Sequence, residues 1–170
     1  MDNQIKKEVI SILVDNQANV LTRVISLFGR RGFNIDSLTV STTNDPKLSR
    51  ITVVFTGTEQ ALHQIISQTA KLEVVCKIFT LDSAHSIYRE LLLLKVHADK
   101  TERSAIKEIV EIYRGNIVDL SKESLIIELT GHSDKIDGFM DMMSCYDIAE
   151  VCRTGITGIG RGPGWDEVDD

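Results

Sequence analysis

The residues of this 170-residue chain that could do chemistry are four histidines, three cysteines and a comb of aspartates. His63, His85, His97 and His132 are scattered, with no i, i+4 pair and no acidic ligand motif beside them. Cys76, Cys145 and Cys152 form no Cys-x-x-Cys. An odd, sparse set of this kind is neither a disulfide framework nor a zinc or iron–sulfur site, and reads as reduced thiols. Asp134, Asp137 and Asp141 recur at helical spacing beside an apolar stripe, which makes them a solvated face. Gly158-Ile-Gly160-Arg-Gly162 is glycine-rich, but it follows a last strand and opens no helix, as a phosphate loop must. The chain is therefore expected to hold no metal and to be no enzyme on its own.

One loop remains, Val14–Val20 (VDNQANV), between a first strand and a first helix. A helix N-terminus carries unpaired amides and the positive end of the dipole, which suit a carboxylate. A free amino acid adds an ammonium that needs acceptors, and Asn16, Asn19 and Asn34 offer both donors and acceptors. The simpler reading of the loop by itself is that Asn16 and Asn19 cap the helix and stabilise the turn.

The elements that must position this loop follow a repeating pattern. Glu8–Val14 is a short β-branched run and reads as a buried strand. Asn19–Arg31 reads as a helix with Leu21, Val24, Ile25 and Phe28 on one face, ended by Gly32. Asn34–Thr43 and Ser49–Thr56 are strands joined at Asn44-Asp45-Pro46, a turn signal. Thr58–Lys71 is a helix and Glu73–Leu81 a strand. The pattern then restarts with strand Tyr88–Ala98, helix Thr101–Tyr113, hairpin Asn116–Leu120 with Ser124–Thr130, helix Ser133–Cys145 and strand Ile148–Thr154. Each half is β-α-β-β-α-β, so the fold class is α+β with two tandem ferredoxin-like domains. Arg31-Gly32-Phe33-Asn34-Ile35 and Arg114-Gly115-Asn116-Ile117 form an internal echo. The expected division is a first domain over 1–81, a linker over 82–87, a second domain over 88–155 and a Gly-rich acidic tail over 156–170.

Bulk properties narrow the function. Hydrophobic residues at 42% and charged residues at 26% fit a globular chain rather than a disordered one. A net charge of -6 repels phosphate backbones and anionic lipid, so neither nucleic acid nor membrane is an expected partner. Only 5% of the residues are aromatic, too few for the stacking sheet of an RNA-recognition domain. Acylphosphatase-like chemistry needs an arginine in the first loop, and none occurs before Arg23. The start is polar and lacks a signal-peptide core, which places the chain in the cytoplasm.

Leu21-Thr-Arg-Val-Ile-Ser-Leu-Phe-Gly-Arg-Arg-Gly-Phe-Asn-Ile-Asp-Ser-Leu-Thr-Val40 continues through Asn44-Asp-Pro-Lys-Leu-Ser-Arg50. The second half carries Glu90-Leu-Leu-Leu-Leu-Lys95, Tyr113-Arg-Gly-Asn-Ile-Val-Asp119 and Arg153-Thr-Gly-Ile-Thr-Gly-Ile-Gly-Arg-Gly162. Together these stretches resemble the small regulatory subunit of acetolactate synthase (acetohydroxyacid synthase), over nearly the whole chain. The resemblance implies an N-terminal ACT domain, a homodimer, and a large catalytic subunit as partner. That partner would carry the thiamine diphosphate, magnesium and flavin (FAD), leaving this chain without cofactors. It further implies activation of the large subunit and feedback inhibition by valine or a related branched-chain amino acid. The effector would sit between two ACT domains, touching Asn16, Asn19 and Val20 of one and Asn34 and Ile35 of the other. Asn19 departs from the family, which usually has glycine there. Its side chain would occupy the space where the effector carboxylate meets the amides, which points to weakened valine inhibition. Alternatively, its amide donates to the carboxylate. An alternative function from another class is a free-standing amino-acid-binding ACT module acting on another enzyme or on transcription.

Overall fold

A computed structural model describes residues 5–30 and 32–162. The acidic end of the expected tail, and Arg31 at the end of the first expected helix, lie outside the described residues. The chain divides into two compact units, one of residues 1–87 with 156–170 and one of residues 88–155.

The first unit runs β1 (Lys6–Asp15), α1 (Val20–Arg30), β2 (Ile35–Thr42), β3 (Leu48–Gly57), α2 (Glu59–Thr69) and β4 (Val75–Leu81). Its strands form an antiparallel sheet in the order β2-β3-β1-β4. Ile10, Ile12 and Val14 of β1 and Ile51, Val53 and Phe55 of β3 meet Val20, Val24 and Phe28 of α1 and Ile65 of α2 in one core. The expected helix face is off by one position. Val20 is buried and Leu21 is 37% exposed. Both sets share Val24 and Phe28, so spacing alone barely separates them; the tilt of each side chain toward the preceding turn chooses Val20.

The other face of this sheet is buried as well. Val9, Ser11 and Leu13 alternate with the core residues of β1, and Ser11 stands opposite Thr52. Residues expected to trail off as a tail account for part of that cover. Thr157–Gly160 form β9, which packs against β1 and β4. Ile156 donates its amide to Ser37 Oγ and accepts from Thr39 Oγ1 at its carbonyl, both at 3.4 Å on β2. The stretch expected as a linker is equally tied in. The Arg161 amide donates to the His85 carbonyl at 2.7 Å. β9 also pairs with the next strand, whose first residues, Ser86 and Ile87, belong to this unit.

The second unit contains most of β5 (Ser86–His97), then α3 (Glu102–Ile112), β6 (Asn116–Leu120), β7 (Ser124–Gly131), α4 (Ser133–Met143) and β8 (Asp147–Arg153), with strand order β6-β7-β5-β8. Leu92, Leu94 and Val96 pack with Leu125, Ile127 and Leu129 beneath Ile106, Val110, Ile136, Phe139 and Met143. The buried residues of α3 are Ile106 and Val110, and those of α4 are Ile136, Phe139 and Met143. The Tyr113 ring meets Phe139 edge-on at 5.3 Å.

The two halves end their first helices alike. After α1 the Gly32 amide bonds Gly29 O and the Phe33 amide bonds Phe28 O; after α3 Arg114 bonds Glu111 O and Gly115 bonds Val110 O. Both are Schellman turns, which need one left-handed residue. Gly32 fills that place in one half (φ 70) and Arg114 in the other (φ 55). The echo is therefore shifted by one. Arg114 takes the place of Gly32, and the shared pair is Asn34-Ile35 with Asn116-Ile117. Gly115 is glycine for space: a Cβ there would lie 3.1 Å from Glu128 O.

Candidate functional site

The β1–α1 loop is held from two sides. The Asp15 amide donates to Val74 O at 2.9 Å, and the Asn16 amide donates to Lys47 O at 2.7 Å. Asn16 Nδ2 donates to Pro46 O at 2.9 Å, so this side chain ties the loop to the β2–β3 turn rather than capping the helix. Asn19 adopts φ 67, and its carbonyl accepts from the Arg23 amide at 3.1 Å. It opens the helix from a left-handed backbone, the conformation glycine adopts freely and Asn tolerates better than other side chains.

Among the described residues, no side chain accepts from the first amides of α1. The contrast with α2 is direct: there Thr58 Oγ1 accepts from the Ala61 amide at 3.3 Å. The second unit contrasts more strongly at the loop corresponding to β1–α1. Asp99 Oδ1 accepts from the Thr101 amide at 2.7 Å, the Glu102 amide at 3.0 Å and Thr101 Oγ1 at 2.5 Å. Glu102 Oε2 accepts back from the Asp99 amide at 3.1 Å. A hydrogen bond from the Thr101 hydroxyl, then those from the Glu102 and Thr101 amides, hold the Asp99 carboxyl below its ordinary range. The protein's own carboxylate thus occupies the start of α3, whereas the start of α1 is open.

The expected site residues do not converge within one copy. Asn16 and Asn19 are exposed at the start of α1. Val20 is only 4% exposed and its side chain lies in the core, so it can offer a ligand its backbone amide but not its side chain. Asn34 is exposed just before β2. Ile35 is partly buried against the core and stands opposite Phe55. Phe55 also pairs with Glu8, seven residues along β1 from Asp15, which is about 23 Å. Asn34 and Ile35 are thus at the other end of the sheet from Asn16 and Asn19. A groove of about 350 Å³ does run along α1 from Asn19 past Thr22, Arg23, Ser26 and Arg30 to Leu72.

Sequence reasoning missed the Arg153 cluster. Arg153 donates through Nε and Nη2 to the two carboxylate oxygens of Glu90, at 3.2 and 2.8 Å, and through Nη1 to Asp137 Oδ1 at 2.7 Å. Glu90 is 5% exposed. The fork geometry satisfies a buried carboxylate on both oxygens, which a lysine could not do. Glu90 and Arg153 open two of the quoted stretches, and that was the only signal. Asp137 is correspondingly a pairing residue as well as part of a solvated face.

Elsewhere the described residues contain no group of three or more His, Cys, Asp or Glu that could hold a metal ion. The three cysteines are free and exposed. Partial burial, then the neighbouring Asp15 charge, push the Cys76 thiol up and away from a reactive thiolate. No described helix is long and apolar enough to cross a membrane.

Residues 10–77 match the family model for the AHAS small subunit-like ACT domain, and residues 89–162 the model for the small subunit of acetolactate synthase. The chain is 46% identical over 156 residues to a probable acetolactate synthase small subunit of Archaeoglobus fulgidus, covering 92% of this chain and 98% of that one. It is 41% identical over 158 residues to the acetolactate synthase small subunit of Mycobacterium bovis, covering 93% and 94%. The crystal structure of the Thermotoga maritima acetolactate synthase small subunit superposes with a TM-score of 0.87 at 37% identity, over 93% of this chain and 99% of that one. With an ACT unit, a second βαββαβ unit and relatives matching along nearly its whole length, this chain belongs to the family of acetolactate synthase small subunits, the regulatory, non-catalytic partners of a large catalytic subunit.

Proposed function

We propose that this chain binds and activates the large subunit and carries feedback inhibition by valine or a related branched-chain amino acid. The first unit senses the effector and dimerises; the second is regulatory. Thiamine diphosphate, magnesium and FAD belong to the large subunit. The observation that carries the sensing assignment is the open N-terminus of α1, where the amides after Asn19 have no acceptor of their own. A carboxylate is the natural occupant of such a position.

The geometry also supports a site shared by two copies. Asn16, Asn19 and the Val20 amide lie about 23 Å along the sheet from Asn34 and Ile35. An effector spanning a few ångströms touches both groups only if the second comes from another protomer. A homodimer that sets the loop of one copy beside the β2 start of its partner meets that requirement.

Asn19 already holds the left-handed backbone, so its replacement by glycine changes the side chain without asking the loop to refold. On this reading it is the Asn19 side chain, and not the backbone of the loop, that weakens valine inhibition. Loss of one charge-assisted hydrogen bond to the carboxylate weakens binding by roughly ten- to hundredfold. Calorimetric titration of valine into the wild type and Asn19→Gly tests this, with the tighter binding expected in the variant. Tight binding by the wild type, unimproved in Asn19→Gly, contradicts it. Mixing the chain with an acetolactate synthase large subunit and assaying pyruvate condensation tests the wider assignment. Unchanged activity with no complex on gel filtration overturns it.

A further inference from the structure

We infer that the groove along α1 docks an acidic segment of the large catalytic subunit. The groove runs from Asn19 to Arg30, about 16 Å along the helix axis. Val20, Val24 and Phe28 turn one face of α1 into the core, and Thr22, Arg23, Ser26 and Arg30 line the groove on another. Leu27 and Leu72, both half-buried, give it an apolar side. Arg23 and Arg30 stand seven residues apart, two helical turns, or about 10 Å.

Both guanidiniums are uncommitted. Arg23 and Arg30 are exposed, and among the described residues neither enters an ion pair or a side-chain hydrogen bond. α1 itself carries no Asp or Glu. The other three helices each place an acid in the first turn, Glu59, Glu102 and Asp134. The first-turn cations of α3 and α4 are also held internally: Arg103 donates to Ser121 O at 2.9 Å and Lys135 Nζ to Thr130 O at 2.9 Å. Arg23 has neither an acid nor a carbonyl to answer its side chain. It lies at the positive end of the helix dipole, where a cation is disfavoured. An exposed arginine at that end, with no partner in its own unit, is placed for an anion from outside the chain.

Charge and length identify the occupant. The whole chain carries a net charge of -6, so an acidic partner is repelled by most of the surface and drawn to this groove, which fixes its register. A free amino acid bound at the start of α1 reaches Asn19 but not Arg30, so the groove extends beyond the effector site. Two carboxylates of one polypeptide span the arginines when they lie seven residues apart on a helix or three apart on a strand, about 10 Å in each case. Each can accept a bidentate pair of bonds from its guanidinium. The large subunit is the polypeptide that this family pairs with the chain. The proposal rests on the reading that this chain binds the large subunit, and adds the surface it uses.

Titration of the full chain into the large subunit, read by biolayer interferometry, tests it, with pyruvate condensation as a second readout. Arg23→Glu with Arg30→Glu is expected to weaken binding about tenfold or more, and each reversal alone about threefold. Wild-type affinity is expected to fall with added salt, and that of the double variant much less. Lys6→Glu with Lys7→Glu makes the same change in net charge on the same unit, and is expected to leave affinity within about twofold because distant charges are screened. Circular dichroism on each variant separates loss of docking from loss of folding. In Arg23→Lys with Arg30→Lys, a carbodiimide, which joins a lysine amine to a carboxylate in contact, is expected to crosslink those two positions to the large subunit. Three results overturn the groove as the docking site while leaving the binding reading intact: full-strength binding by the double reversal, equal weakening by the Lys6 and Lys7 reversals, or crosslinks from positions 23 and 30 only to another copy of this chain. No binding by the wild type overturns the binding reading, and the docking site with it.

Discussion

The two helix N-termini that follow the first strand of each unit share a topology and have opposite electrostatic states. α3 begins under Asp99, whose carboxylate takes the amides a ligand would need. α1 begins after Asn19, which contributes a left-handed backbone and no cap. The pair teaches that a duplicated fold does not duplicate a binding site, because a single acidic side chain in the right loop fills it from within. The hairpins repeat the contrast. In the first unit Asn16 holds the loop to Pro46 and Lys47 while the helix start stays clear. In the second, Arg103 bonds the carbonyls of Ser121 and Lys122, tying α3 to the β6–β7 turn.

The largest expected effect bears on the second unit as scaffold. Arg153→Met leaves Glu90 buried without its partner, and should lower the stability of that unit by about 3 kcal/mol. The value is at the low end for a broken buried pair because Arg153 is a third exposed. Urea unfolding measures it, and pairing Arg153→Met with Glu90→Leu should recover most of the loss. If the single variant unfolds like the wild type, the ion pair does not hold β8 to β5.

Next in size are substitutions of Asn19 read on stability. Asn19→Gly should be neutral or stabilising by up to about 1 kcal/mol, and Asn19→Val should destabilise by about 1–2 kcal/mol, because only the second adds cost at a positive φ. Thermal unfolding distinguishes them. Equal effects from the two would mean that the left-handed entry to α1 is not what Asn19 provides.

The smallest effect is a pH dependence confined to the second unit. The Asp99 carboxyl is depressed by folding. Its contribution is therefore complete above the usual aspartate value of 3.8 and is lost as pH falls below that value through its folded one. Asp99→Asn should remove this component of acid unfolding, while Asn19→Gly should not touch it. Far-UV circular dichroism over an acid titration reads both.

Much of this organisation was legible in the residues. Period-2 and period-3.6 patterns marked the eight strands and four helices of the repeat, and Gly32 marked a helix end. What could not be read has a physical reason in each case. β9 is four residues of Thr-Gly-Ile-Gly, too short and too glycine-rich to alternate, and only tertiary contact makes it a strand. Arg114 carries no sign of its left-handed backbone, since any residue can be forced there by a well-packed turn. The family resemblance placed Val20 toward the ligand, and spacing put Leu21 rather than Val20 in the core; the structure buries Val20. The openness of α1 was also hidden. Asn at a helix start suggests a cap, and only the geometry reveals that Asn16 turns its amide to Pro46.

Amide chemical shifts during a valine titration test the contrast between the two loops most directly. The expected result is that the amides of Val20, Leu21 and Thr22 move, together with Asn34 and Ile35, while those of Thr101 and Glu102 stay fixed. Movement at the start of α3, or none at the start of α1 in either the wild type or Asn19→Gly, would contradict the account.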